Sequence, residues 1–81
     1  MSKNKDFETK LVSLIAIALK VPKKDVSIKL HMNQIKEWDS MGHLNILSEI
    51  EKYIGFELDL DIISEVQSVK DWLKILKKYK S

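Results

Sequence analysis

The residues best equipped for chemistry lie closest together in Glu37-Trp38-Asp39-Ser40-Met41-Gly42-His43-Leu44, where a polar stretch gives way to an apolar helical pattern. Three chemistries are open to such a segment. An Asp-Ser pair ahead of a helix can act as an N-cap, with a short oxygen-bearing side chain satisfying one of the first-turn N–H groups. A serine followed three residues later by a histidine has the composition of a nucleophile and its base. A serine hydroxyl at a helix N-terminus also suits attachment of a phosphate-linked group, because free N–H groups and the helix dipole stabilise added negative charge there.

The helix that starts at Ser40 decides among these. At about 100° per residue, and with Ser40 as zero, Tyr53, Ile46, Ile50, His43, Ile54 and Leu47 fall in an arc of roughly 220° to 340°. That arc is the predicted core face. Ser40, Glu51, Leu44, Ser48, Met41, Lys52 and Asn45 fall on the other side, at roughly 0° to 140°. His43 is therefore at the core edge. An 81-residue chain has little room for a substrate cleft, and no oxyanion-binding group is evident, so the nucleophile–base chemistry fails. Ser40 remains either a plain cap or an anchor, and if Asp39 takes the cap, Ser40 is free for other use. Met41 and Leu44, apolar and outward-facing beside Ser40, with Ser48 and Glu51 further along, form a predicted contact surface.

The elements that position this segment follow from apolar spacing and punctuation. Phe7, Leu11, Leu14, Ile15, Ala18 and Leu19 repeat at helical intervals and predict a helix over 5–20, stopped by Pro22. Residues 21–39 form a long connection with Val26, Ile28, Leu30 and Ile35 as apolar pins. Nineteen structureless residues are unusual in so small a domain, so partial order or function is expected there. A second helix spans 40–54 and ends on Gly55 in a left-handed cap. Leu58, Ile62, Ile63 and Val66 predict a short helix over 60–66, entered from Asp59 or Asp61. Ser68-Val69-Lys70-Asp71 reads as a capping box opening a helix over 69–79, with Val69, Trp72, Leu73, Leu76 and Tyr79 on its buried face. Trp38 and Trp72 are expected as core anchors. Three main helices, one short helix and a long first loop make a small all-α four-helix bundle, in one freestanding domain over residues 1–81.

Composition narrows the function classes. The chain is 44% hydrophobic and 32% charged, ordinary for a soluble globular domain. It has no cysteine, which leaves no disulfide and no thiolate metal site. Any thiol chemistry would come from a bound group. Leu11 to Leu19 resembles a short signal-peptide core, but Asp6 and Glu8 interrupt its basic lead and its apolar residues keep helical spacing, which favours a retained helix. The apolar run is far shorter than a membrane span. Glu57, Asp59 and Asp61 alternate as metal ligands can, yet no EF-hand spacing follows, and solvated acids are expected. The net charge of +2 conceals strong segregation. Residues 1–36 carry +5, residues 37–65 carry −7 and residues 66–81 carry +4. Any partner that meets Ser40 therefore meets an acidic field.

Taken together, Trp38-Asp39-Ser40-Met41-Gly42, the helix through Ile50-Glu51, Ile54-Gly55-Phe56-Glu57-Leu58 and Ser68-Val69-Lys70-Asp71-Trp72 resemble the phosphopantetheine-dependent carrier proteins, which include acyl, peptidyl and D-alanyl carriers. The resemblance runs from about residue 6 to residue 79. It implies an acyl-carrier-protein-like four-helix bundle with 4′-phosphopantetheine joined to Ser40 through a phosphodiester, and Asp39 as its motif neighbour. A separate phosphopantetheinyl transferase would install the arm from coenzyme A. The arm's thiol would hold an acyl or aminoacyl group as a thioester for loading and acyl-transferring enzymes. The chain itself would be no enzyme, and would be a cytoplasmic monomer with no nucleic acid partner and no membrane insertion. Met41, Leu44, Ser48 and Glu51 would touch the partners, and no residue would be catalytic or bind metal. Basic ends, with Asn45 and Ser48 diluting the acidity of helix two, favour a specialised pathway over housekeeping fatty-acid synthesis. Gly42 after Met41 is closer to peptidyl and D-alanyl carriers.

Two other functions compete. An unmodified helical interaction module would keep its binding after Ser40→Ala. A nucleic-acid binder would need Lys3, Lys5, Lys10 and Lys20 on one face with Lys74, Lys77 and Lys78, and those lysines are not interleaved with aromatics or arginines.

Overall fold

The structure is a computed structural model that describes the backbone of residues 3–80 and the side chains of residues 6–79. Four helices follow in chain order: α1 (Lys3–Leu19), α2 (Ser40–Ile54), α3 (Leu60–Ser64) and α4 (Val69–Lys80). One 3-10 turn, Lys23–Asp25, interrupts the first connection. This is the small all-α bundle that the apolar spacing predicts. The side chains of Lys3 and Lys5, two of the lysines a nucleic-acid face would need, lie outside the described residues.

α1 lies against α2, α4 and the 3-10 turn. Being covered on several sides, it buries a broad face: Leu11, Leu14, Ile15, Ala18 and Leu19, together with Ala16, while Ile17 points to solvent. The helix ends one residue short of the predicted Lys20, which adopts a left-handed conformation (φ 59°). Its N–H donates to the Ile17 carbonyl and that of Val21 to the Ala16 carbonyl, a paired pattern that satisfies the last carbonyls of a helix. Pro22 has no N–H with which to continue.

The long connection is ordered by pins and by its own turns. Val26 and Leu30 are buried, and Ile28 and Ile35 pack against the core in part. The Met32 N–H donates to the Gln67 carbonyl at 2.8 Å, and the Val69 N–H to the Leu30 carbonyl at 3.0 Å. These bonds tie the connection to the α3–α4 junction, where His31 and Ser68 form an isolated antiparallel bridge. The Gln34 side chain accepts the His31 N–H at 2.7 Å. Asn33 takes a positive φ of 72°, which a short amide side chain tolerates, and its N–H reaches the Trp38 carbonyl at 2.8 Å.

α3 is shorter than the predicted 60–66. The N–H groups of Glu65 and Val66 turn to the carbonyls of Ile62 and Ile63, three residues back, and this tightening ends the α-helix. Val66 is nonetheless buried. At the start of α4, Ser68 Oγ accepts the Asp71 N–H at 3.1 Å. Asp71 in turn accepts from the Gln67 N–H at 2.9 Å, one residue earlier than in a standard capping box. Trp38, Trp72, Leu11, Ile15, Ile46, Ile50, Leu76 and Val69 are the largest fully buried side chains, so every long helix and the first connection meet in one core.

Lys20 holds a left-handed conformation that costs an L-residue about 1–2 kcal/mol, only partly offset by the flexibility a glycine would add to the unfolded chain. Lys20→Gly should therefore stabilise the protein by about 0.5–1 kcal/mol, read as a rise of several degrees in Tm by thermal circular dichroism. An unchanged or lower Tm would contradict this account of the α1 terminus.

Candidate functional site at the first turn of α2

Asp39, not Ser40, caps α2. Its backbone is extended (φ −95°, ψ −165°), its Oδ1 accepts the Gly42 N–H at 2.9 Å, and its carbonyl accepts the His43 N–H at 2.9 Å. Ser40 becomes the first helical residue and is exposed. With Gly42 and His43 satisfied, the N–H groups of Ser40 and Met41 are the open donors of the first turn. An exposed hydroxyl beside open donors and the positive end of a 15-residue helix is a setting that favours a covalently attached phosphate group.

Gly42 sets how closely this turn can pack. A Cβ at position 42 would overlap the Glu37 carbonyl oxygen and lie 2.8 Å from Cδ2 of Leu19. The glycine thus lets the backbone of α2 press against both the connection and the end of α1. That contact fixes where Asp39 and Ser40 emerge.

Beneath the turn, His43 is buried against both tryptophans. The Trp38 indole N–H donates to His43 Nδ1 at 3.0 Å. The two ring planes lie within 18° of each other with centroids 6.2 Å apart, so the rings meet edge to edge along that hydrogen bond. Trp72 packs on His43 at 5.4 Å with its plane tilted by 43°. Because an indole nitrogen can only donate, Nδ1 must be the acceptor, and the neutral imidazole carries its proton on Nε2. Burial pulls the His43 pKa below the ordinary 6.5, against a smaller opposing pull from the Ile63 backbone. The Trp72 indole N–H is buried without a partner among the described residues.

The outward face of α2 is arranged as its spacing predicts. Met41 is 66% and Leu44 55% exposed, and Asn45, Ser48 and Lys52 are exposed around them. Glu51 is different. It is half-buried, and its Oε2 accepts the N–H of buried Leu58 at 2.8 Å, fixing the chain after α2. Besides Ile17 on α1, two further apolar side chains are exposed, Phe56 and Leu60, the latter 75% exposed. The Phe56 ring meets Tyr79 edge-on at 5.4 Å. Nothing in the apolar period marks either residue as outward, because both fall near the short α3.

Glu57, Asp59 and Asp61 are all exposed, and among the described residues no group of three or more His, Asp or Glu could hold a metal ion. An open groove of about 450 Å³ runs between α3 and α4 over Ile62, Val66, Ile75 and Tyr79, and Ser40 does not line it. No helix among the described residues is long and apolar enough to cross a membrane.

Gly42→Ala should cost about 1–3 kcal/mol, because the methyl group must displace the Glu37 carbonyl or the Leu19 side chain. A loss below about 0.5 kcal/mol in urea unfolding would mean that the turn is looser than this. Glu51→Ala should cost about 1–2 kcal/mol by orphaning the Leu58 N–H, whereas Glu51→Gln, which keeps an acceptor oxygen, should cost less than half as much. Equal losses in the two variants would show that charge, not the hydrogen bond, is at work. In comparisons with known proteins, no family model matches the chain and no curated protein matches it significantly.

Proposed function

We propose that this chain is a carrier protein bearing 4′-phosphopantetheine on Ser40. One observation carries the reading: Asp39 takes the helix cap and leaves an exposed serine hydroxyl at the open N-terminus of α2. A residue needed only as a cap would have its oxygen turned to the N–H groups, and here that work is done by its neighbour. The donors present suit a phosphodiester, since the open N–H groups of the first turn face negative charge favourably. When bound, the arm supplies a terminal thiol on which an acyl or aminoacyl group travels as a thioester. Ser40 is the attachment point, and Asp39 and Gly42 hold the turn that presents it.

Partners would approach over the acidic middle of the chain, net −7 across residues 37–65, with Met41, Leu44 and Ser48 as the exposed contacts. Such a field steers basic partner surfaces and leaves binding weak enough for release. Glu51 would contribute through its remaining carboxylate oxygen, the other being committed to Leu58. The basic ends favour a specialised biosynthetic pathway, and a cytoplasmic, monomeric carrier acted on by a phosphopantetheinyl transferase and by loading and acyl-transferring enzymes is the consistent setting. A second reading, an unmodified helical interaction module, draws on the exposed Met41, Leu44, Phe56 and Leu60, which can serve a protein contact with no arm attached.

Incubation with coenzyme A, Mg²⁺ and a broad-specificity phosphopantetheinyl transferase should raise the intact mass by one phosphopantetheine. Ser40→Ala should gain nothing. A wild-type protein that stays unmodified beside an active control carrier would remove the carrier function and leave the interaction module. A gain that persists in Ser40→Ala would place the arm on another residue.

A further inference from the structure

Among the described residues, His43 is the one buried titratable side chain near Ser40, and nothing in the proposed carrier function uses it. Its Nδ1 lone pair is occupied by the Trp38 indole N–H at 3.0 Å, and that indole is fully buried. Trp38 is also the residue through which the connection is fastened. Its carbonyl accepts the Asn33 N–H at 2.8 Å and its N–H donates to the Ile35 carbonyl at 3.1 Å. The next two residues are Asp39 and Ser40. The indole is thus the hinge pin of the segment that ends on Ser40, and its side-chain hydrogen bond is to an imidazole.

We propose that the Trp38–His43 pair is a proton-sensitive latch: neutral His43 holds the Trp38 indole in the core, and a proton taken from solvent onto Nδ1 ends that bond and frees the Ser40 segment. Protonation turns the acceptor into a donor, so two N–H groups confront each other across 3.0 Å in a buried site. One of the rings must move. The indole is the freer, because it belongs to a connection, while His43 is fixed in a 15-residue helix.

The surroundings provide little to hold a buried imidazolium. From the connection, Trp38 presents a donor, and the half-buried Glu37 makes no hydrogen bond to the ring. On α2 itself, Asp39 is bonded to the Gly42 N–H, and α1 meets this turn through the apolar Leu19. From α3, a hydrogen bond to the Ile63 backbone favours the charged form but does not outweigh burial, and Glu65, just beyond the helix, is exposed. From α4, Asp71 is bonded to the Gln67 N–H, and Trp72 adds no carboxylate, only an aromatic ring tilted by 43° with its centroid 5.4 Å away. The sign follows. With the folded-state pKa held below 6.5, the latch contributes in full above pH 6.5 and is lost as pH falls through the lowered value. The latch does not depend on what Ser40 carries.

The test is NMR-detected hydrogen exchange on ¹⁵N-labelled wild type, His43→Asn and His31→Gln between about pH 7.5 and 5, a range that brackets the imidazole transition. Asparagine keeps an acceptor near the Nδ1 position without titrating, and His31→Gln removes the other imidazole. After correction for intrinsic exchange, the Trp38 indole and the Gly42 amide of wild type should open at least about tenfold faster at the low end, with amides of Ile15 and Ile50 unaffected. His31→Gln should behave as wild type and His43→Asn should stay flat. An opening that persists in His43→Asn, or one shared at the same midpoint by Ile15 and Ile50, would overturn the latch. Should His43→Asn fail to fold, ¹⁵N ring shifts of wild type decide: His43 titrating with no movement of the Trp38 indole signal would also overturn it.

Discussion

The burial of Trp38 is the constraint on which the rest of the molecule depends. An indole can be taken wholly out of water at low cost only if its N–H finds an acceptor, and among the described residues that acceptor is His43 on the first turn of α2. One hydrogen bond thereby joins the end of a long connection to the start of the central helix. Gly42 completes the joint by letting the helix backbone close on the Glu37 carbonyl and on Leu19. Asp39 and Ser40, between these two contacts, have little freedom in where they point. Their division of labour, a carboxylate that caps and a hydroxyl left exposed, is a consequence of that packing.

The turn presents one exposed hydroxyl beside open backbone donors. Catalysis would require acid–base partners converging on the hydroxyl, and the nearest imidazole is buried with its Nδ1 occupied. Around the turn lie two exposed apolar side chains, Met41 and Leu44, in an acidic segment. Apart from Lys52, the basic charge lies outside this segment, on α1, the first connection and α4, where the dipole favours lysine at the helix end. Like-charged groups are thereby gathered apart from their opposites, and the one ion pair among the described residues is the Glu49–Lys52 contact on α2.

Much of this is legible in the chain. The helical repetition of Leu11, Leu14, Ile15 and Ala18, and its counterparts later on, place four helices once Pro22, Gly55 and Ser68 are read as punctuation. The outward direction of Ser40, Met41 and Leu44 follows from one rotation angle. Less legible are features made by contacts distant in sequence or set by side-chain reach. Glu51 sits on the outward arc by angle, yet its carboxylate bends to the Leu58 N–H seven residues on. α3 ends early because two N–H groups bond to carbonyls three residues back rather than four, a choice no apolar pattern records.

The sequence by itself determined the helices, their buried faces and the location of an Asp-Ser pair at a helix start, because these rest on local periodicity and on the chemistry of single residues. The tertiary structure alone decided which of the pair is the cap, why position 42 must be glycine, and that His43 is the partner of Trp38. Those outcomes depend on the path by which residues 21–39 return to α1 and α4, and such a path is selected by packing and hydrogen bonds between segments that no local pattern encodes.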